Sequence, residues 1–187
     1  MDRYIDLKLR PDPEFPQTLL MNALLAKLHR ALHDLRRNDI GISFPEVGQN
    51  ARNLGAHLRV HGSAQALSGL QALDWLVGMR DHVEASDALV VPDRVKHRAV
   101  SRVQVDSSPE RARRRLIKRH GISEEEARER IPDSAGKRCD LPFATLRSKG
   151  NGEVFRLFVR QGPLLDQAQQ GAFSGYGLSG TATVPWF

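Results

Sequence analysis

The run Ser108-Pro109-Glu110-Arg111-Ala112-Arg113-Arg114-Arg115-Leu116-Ile117-Lys118-Arg119-His120-Gly121 leaves the chain little choice in how to fold around it. Ser108 supplies an N-cap, Pro109 a first helical residue, Glu110 a carboxylate for the positive first turn, and Gly121 a stop. At about 100° per residue, Arg111, Arg114, Arg115, Lys118 and Arg119 fall within one sector of roughly 140°. Ala112, Leu116 and Ile117 point the other way, and only Arg113 interrupts that apolar side. Such a helix packs by one face and turns a cationic ridge outward. A merely solvated helix usually mixes signs through i,i+4 pairs, and this one has no acid after its first turn. A charged surface helix stays as the plain alternative. The pattern favours a polyanion-binding helix, with nucleic acid the commonest polyanion.

Charge is focused on this region. From Arg94 to Arg119 there are ten Lys or Arg against two acids, Asp106 and Glu110, whereas the rest of the chain holds 18 basic residues against 20 acidic ones. Steering of a phosphate backbone calls for that kind of concentration. The 187 residues, 40% of them hydrophobic, suit one moderate domain or two small ones. A single cysteine, Cys139, excludes an internal disulfide and a cysteine-based zinc finger, and fits a reducing cytosol. No apolar run approaches a membrane span, and Met1-Asp2-Arg3-Tyr4-Ile5-Asp6 lacks the apolar core of a signal peptide. A cytoplasmic protein without membrane association is expected.

Taken in order, Arg3 to Arg10 alternates Tyr4, Asp6 and Lys8 against Ile5, Leu7 and Leu9, which predicts a half-buried strand closed by Pro11 and Pro13. Pro16 to Arg37 predicts a helix, with Met21, Leu24, Leu25, Leu28, Leu32 and Leu35 in a stripe about 100° wide. Short strands at Ile40 to Phe44 and Leu58 to His61 come next. Ser63 then caps a helix from Ala64 to Met79, and Val83 to Pro92 returns as a strand. The order β-α-β-β-α-β is the ferredoxin-like, RRM-like pattern.

Past a soft boundary near Pro92–Arg98, a strand from Arg98 to Val105 carries Arg98, Arg102 and Gln104 on one face. The basic helix follows, and Ser123 to Glu126 forms a capping box for a short helix that Pro132 stops. Strands at Leu141 to Ser148 and Glu153 to Arg160 flank Lys149-Gly150-Asn151-Gly152, a hairpin turn. No element is assigned to the tail, Gly171 to Phe187, which has glycines at 171, 175, 177 and 180. The fold class is therefore α+β, with a ferredoxin-like domain over 1–94 and an α/β part over 95–187 carrying the arginine-rich helix, 108–120.

The chemistry on offer is limited. There is no tight Asp/Glu cluster in an apolar setting and no Cys/His quartet, so no metal and no cofactor are expected. His29 and His33 have i,i+4 spacing, but no general-base Glu lies between them. His33 reads as solvated. His29 sits about 100° around from Leu28, at the shoulder where a helix meets both core and cleft. A structural shoulder histidine is the ordinary case there. RNA cleavage without metal has a 2′-hydroxyl attack the adjacent phosphate, so groups must take its proton, hold the ribose and stabilise charge. Histidine titrates in the right range for the first task. Ser148, at a strand end before a glycine turn, is placed to fix a 2′-OH. The residues themselves support an RNA or DNA binder with histidine chemistry available, and a non-catalytic binding module using the same helix fits them too.

Further blocks carry more. They are Leu9-Arg10-Pro11-Asp12-Pro13-Glu14-Phe15-Pro16, Lys27-Leu28-His29, Val100-Ser101-Arg102-Val103-Gln104, the arginine-rich helix, Ser123 to Arg128, and Arg130-Ile131-Pro132-Asp133. Thr145-Leu146-Arg147-Ser148, Phe155-Arg156-Leu157-Phe158, Tyr176-Gly177-Leu178-Ser179 and Val184-Pro185-Trp186-Phe187 complete the set. Through them the chain resembles, nearly end to end, the CRISPR-associated endoribonuclease of type I-F systems, which processes precursor CRISPR RNA.

The resemblance implies a ferredoxin-like N-terminal domain and an RNA-binding C-terminal part whose basic helix enters the major groove of a repeat hairpin. It implies a general base or acid in His29, a ribose-holding hydroxyl in Ser148, and an orienting ring in Tyr176. Arg102 and Gln104 would read base edges at the bottom of the stem, and Phe155 would stack on the closing pair at the loop side. Ser108, Arg111, Arg114, Arg115, Lys118, Arg119 and His120 would follow the RNA backbone. The product would end in a 2′,3′-cyclic phosphate and stay bound to the enzyme as mature crRNA within a surveillance complex. Gly150 departs from the pattern, standing where a small hydroxyl residue is expected, and Gly136-Lys137-Arg138-Cys139 matches no block. A-form RNA has a deep, narrow major groove that side chains cannot normally enter. A short hairpin opens that groove at its ends, where long arginines reach guanine edges.

Overall fold

Leucines at helical spacing need a surface to cover, and the alternating strand ahead of them provides it. The computed structural model describes all residues except 49–50, 106–108, 134–138, 149, 151 and the Arg111 side chain. The fold is α+β, with antiparallel sheets and four helices among the described residues. The first part runs β1 (Arg3–Leu9), α1 (Gln17–Leu35), β2 (Gly41–Ser43), β3 (His57–Gly62), α2 (Ala64–Ala72), β4 (Val83–Ala85) and β5 (Leu89–Val90). Its sheet has the order β2-β3-β1-β4, with β5 also paired to β1. The final strand of the expected pattern is thus split. Between its halves the Ser86 hydroxyl accepts the Asp6 amide, at 2.9 Å, in place of a strand partner. Helix α2 ends at Ala72, short of the expected Met79, because Asp74 adopts a φ of 47° and the chain continues in turns.

A second sheet, in the order β7-β8-β6-β9, comprises β6 (Lys96–Val103), β7 (Phe143–Arg147), β8 (Val154–Gln161) and β9 (Thr183–Trp186). β9 is an addition to the expected elements. It pairs antiparallel with Lys96 to Ala99 at the sheet edge, where Pro185 costs no ladder bond on its open side. The molecule forms two compact units, residues Met1–Val103 with Leu141–Phe187, and Gln104–Asp140.

In the first unit, Met21, Leu24, Leu25, Leu28 and Leu32 of α1 are all buried. Each such side chain contributes roughly 1.5–3 kcal/mol, which fixes the rotation of α1 and hence the direction in which His29 points. The middle strand β3 is buried along its whole length, so its polar side chains require partners. Arg59 donates twice to the Asp6 carboxylate, at 2.6 and 3.0 Å, and once to the Phe187 carbonyl, at 3.0 Å. Its guanidinium also lies 4.6 Å from the Tyr4 ring centroid and 4.1 Å from that of Phe187. His57 Nε2 approaches the same carboxylate at 2.8 Å. Burial pushes the Asp6 carboxyl up, but the Arg59 hydrogen bonds and the close His57 ring outweigh it and leave the pKa lowered.

His61, on the same strand, shares a 2.8 Å hydrogen bond between its Nε2 and the Ser43 hydroxyl. Burial, then the Arg59 charge, push its pKa down to about 3 from 6.5. The unfolded chain therefore binds a proton between those values that the folded chain refuses. Stability held by neutral His61 is complete above about pH 6.5 and is lost on acidification by up to about 1.4 kcal/mol per pH unit. Urea unfolding at about pH 7.5 and about pH 5.5 should differ by about 1.4 kcal/mol more in the native protein than in His61→Gln. Parallel profiles would exclude a titrating His61 as the cause.

The second unit is built from α3 (Pro109–His120) and α4 (Glu124–Arg130). Gly121, with a φ of +63°, ends α3 in the left-handed conformation that side chains resist, and its amide closes on the Ile117 carbonyl at 2.8 Å. Leu116 and Ile117 are half-buried while Arg114, Arg115, Lys118, Arg119 and His120 are exposed. Arg113, which interrupts the apolar side, is used as a tie. It donates to the Ile131 carbonyl and to Asp133, each at 2.7 Å, and its side chain is only 12% exposed. At α4 the Ser123 hydroxyl accepts the Glu126 amide at 3.1 Å, whereas the Glu126 carboxylate turns to Arg130 instead of completing the box.

Candidate active site

A helix face is shared by residues three and four apart, so with the leucines of α1 buried, Ala26, His29, Arg30 and His33 look out together. They line a cleft of about 380 Å³. The opposite wall comes from the end of β7 and its turn (Leu146, Arg147, Ser148, Gly150), from Phe155 on β8, and from Tyr176 in the tail. Helix and strand are pinned to each other by the Asn22 side chain, two turns before His29, which accepts the Thr145 amide at 2.9 Å.

His29 is held from two directions. Its Nδ1 lies 2.7 Å from the Gly175 carbonyl oxygen. Its ring stacks on Tyr176 with centroids 3.9 Å apart and planes 8° from parallel. Ser148 is the first residue beyond β7, and alternation along that strand gives it the side taken by Leu146. Its amide donates to the Glu153 carbonyl at 2.8 Å and its carbonyl accepts the Gly152 amide at 3.0 Å, which closes the hairpin just past the hydroxyl. A Cβ added at Gly150 would meet Ser148 Oγ at 4.0 Å, so the residue at 150 is a direct neighbour of the serine. Arg102, exposed near the end of β6, has its guanidinium carbon 5.5 Å from the Phe155 ring centroid and 5.8 Å from that of Tyr176.

His29, Ser148, Tyr176 and Phe155 therefore meet in one cleft, with Arg102 beside two of its rings. Phe155 stands at the same end as Arg102. Gln104 follows β6 directly and is the first residue of the second unit. The exposed cations Arg114, Arg115, Lys118 and Arg119, and His120, belong to that unit as well. Ser108 and the Arg111 side chain lie outside the described residues. Of the charged lining residues, Arg30 and Asp34 went unremarked in the sequence, and Arg147 stood there only within a block, without a role. The face 26/29/30/33 would have revealed Arg30. Its natural i,i+4 partner, Asp34, lies instead 3.5 Å from His33 Nδ1. A further contributor, the Gly175 carbonyl, belongs to the backbone and has no sequence signature.

Among the described residues, no three His, Cys, Asp or Glu side chains come together as a metal-binding group. Cys139 is half-buried, and no described helix is long and apolar enough to cross a membrane.

The family model described as CRISPR-associated protein (Cas_Csy4) matches residues 4–187. Two relatives are each named CRISPR-associated endonuclease Cas6/Csy4. The one from Pseudomonas aeruginosa (strain UCBPP-PA14) is 52% identical over 187 residues, and the one from Escherichia coli (strain UTI89 / UPEC) is 48% identical over 187 residues. Both alignments cover 100% of this chain and 100% of the relative. A chain of a solved Cas6 product complex is far more distant, at 16% identity and a TM-score of 0.28 over 95% of this chain and 89% of that one. With a family match that omits only three residues and identity near one half along the whole length, the chain belongs to the Cas_Csy4 family of CRISPR-associated proteins.

Proposed function

We propose that this chain is a metal-independent endoribonuclease that cuts precursor CRISPR RNA at the base of a repeat stem-loop. The convergence of a proton acceptor, a hydroxyl and two aromatic rings on one cleft carries the reading, and membership of an endonuclease-containing family supports it. In the reaction, the 2′-hydroxyl on the nucleotide before the cut attacks the neighbouring phosphorus. The new P–O2′ bond closes a 2′,3′-cyclic phosphate while the P–O5′ bond breaks. His29 takes the 2′ proton, the departing 5′ oxygen gains one from water, and Ser148 holds the ribose. Tyr176 keeps the imidazole in its plane. Phe155, expected at the loop-side closing pair, lines the cleft beside Arg102, which favours stacking on a base beside the cut instead.

Selection of the RNA falls to other residues. Arg102 and Gln104 read base edges at the bottom of the stem, Arg102 being next to the cleft rings. The ridge of Arg111, Arg114, Arg115, Lys118, Arg119 and His120, with Ser108 at its start, follows the phosphates. In this reading residues 1–94 are a ferredoxin-like domain, for which the β-α-β-β-α-β order and the sheet order β2-β3-β1-β4 speak. Residues 95–187 are the RNA-binding part. The enzyme keeps its product as mature crRNA in the cytoplasm, within a type I-F surveillance complex.

The test is a hairpin RNA incubated in excess EDTA. Cleavage should persist and leave a 2′,3′-cyclic phosphate, and a substrate with 2′-deoxyribose at the cut should bind and stay whole. Activity that needs added Mg²⁺, a 3′-hydroxyl product, or cutting of the deoxy substrate would each sink the reaction class. Tight binding with no cleavage of any hairpin would leave a binding module.

A further inference from the structure

We propose that the turn from Ser174 to Gly177 is a positioning element that fixes His29 in one tautomer, with hydrogen on Nδ1 and the lone pair on Nε2. The inference deepens the reading of His29 as proton acceptor and rests on it. A carbonyl oxygen only accepts hydrogen bonds, so the 2.7 Å contact with Gly175 requires Nδ1–H. In the neutral ring Nε2 is then the acceptor, and it is the atom that receives the 2′ proton. The next residue, Tyr176, lays its ring on the same imidazole. One contact sets the ring's rotation within its plane and the other sets the plane. A tail that only filled space would have no reason to aim both at one side chain.

The turn is itself anchored. The Ser174 amide donates to the Leu178 carbonyl at 2.9 Å, and the Gly177 amide donates to the Ser174 carbonyl at 2.8 Å. The Gly177 carbonyl accepts the Ile42 amide of β2, at 2.9 Å, which ties the turn to the first sheet. Gly177 has a φ of +69°, and a Cβ there would stand 2.8 Å from Cγ2 of Ile42, a core side chain. No other residue meets both conditions without moving the turn. Gly180, three residues on, faces open space and makes no such demand.

Nitrogen-15 spectra of the full chain with labelled histidine test this directly. In the native protein near neutral pH, His29 should carry its hydrogen on Nδ1, with Nε2 unprotonated. In Gly177→Ala the His29 signals should move toward a mixture of tautomers. Cleavage should fall roughly tenfold to hundredfold, as a misplacement near 1 Å costs, while hairpin affinity stays within about twofold, because the phosphate-binding ridge is untouched. Gly180→Ala should match the native protein in all three readouts. The proposal is overturned if native His29 is protonated on Nε2, or if Gly177→Ala loses cleavage with an unchanged His29 spectrum. Should Gly177→Ala fail to fold, the native spectrum decides alone. An Nδ1–H tautomer in a protein whose His29→Ala variant still cuts would uphold the positioning and overturn the catalytic reading.

Discussion

His29→Ala is expected to hold the repeat hairpin about as tightly as the native protein and to cut it roughly 10²–10⁴ times more slowly. The two parts of that result have separate causes. Affinity for RNA is dominated by neutralised phosphates, and the cations of α3 are supplied from another unit of the molecule. Removing one imidazole leaves that charge in place, so affinity should change by less than about 1 kcal/mol, with an unaltered salt slope. Proton transfer loses the acceptor that the Gly175 carbonyl and the Tyr176 ring hold in the cleft. Single-turnover cleavage and filter binding on the same hairpin measure both quantities. A near-normal rate in His29→Ala would remove His29 from the chemistry. A large affinity loss would make the histidine a binding residue instead.

The second large effect concerns stability. Arg59→Ala leaves Asp6, whose side chain is 17% exposed, with two of its partners' hydrogen bonds gone and His57 as the remaining neighbour. Breaking a buried pair on one side costs roughly 3–5 kcal/mol, and the residual exposure argues for about 3 here. The same change frees the Phe187 carbonyl and ring. Asp6 is held below its ordinary pKa of 3.8, so its pairing stabilises the fold above about pH 4, and that contribution fades as the pH drops further. Urea unfolding near neutral pH should register the full loss. A change below about 1 kcal/mol would reduce the cluster to an incidental contact.

Sequence reasoning reached different depths along the chain. Helix α1 and strand β1 were legible because burial repeats at a fixed period, as Leu24, Leu28 and Leu32 do, and the basic α3 because its charges gather on one face. The end of α2 was not, since the turn from Leu73 to His82 keeps apolar residues at nearly helical spacing. β9 escaped because its pairing with Lys96 to Ala99 is long-range, and neither glycines nor Pro185 advertise a strand. In the site, His29 was visible as a shoulder residue on its helix. That Ser148, Phe155 and Tyr176 join it came from resemblance, because no spacing rule links positions so far apart. Arg113 shows the opposite case. It broke the apolar side of a helical wheel, and the structure finds it carrying the bonds that join α3 to the end of α4.

His29 and the carbonyl that holds it are separated by 146 positions in the chain. A ribosome working at roughly 5–20 residues per second adds that length in on the order of 7–30 s. Throughout that interval the emerging polypeptide carries His29 without the carbonyl that holds it. The cationic helix is made well before the tail, so in the proposed reading the phosphate-binding ridge precedes the completed cleft. The cleft is thus completed only when the tail returns to helix α1, late in synthesis.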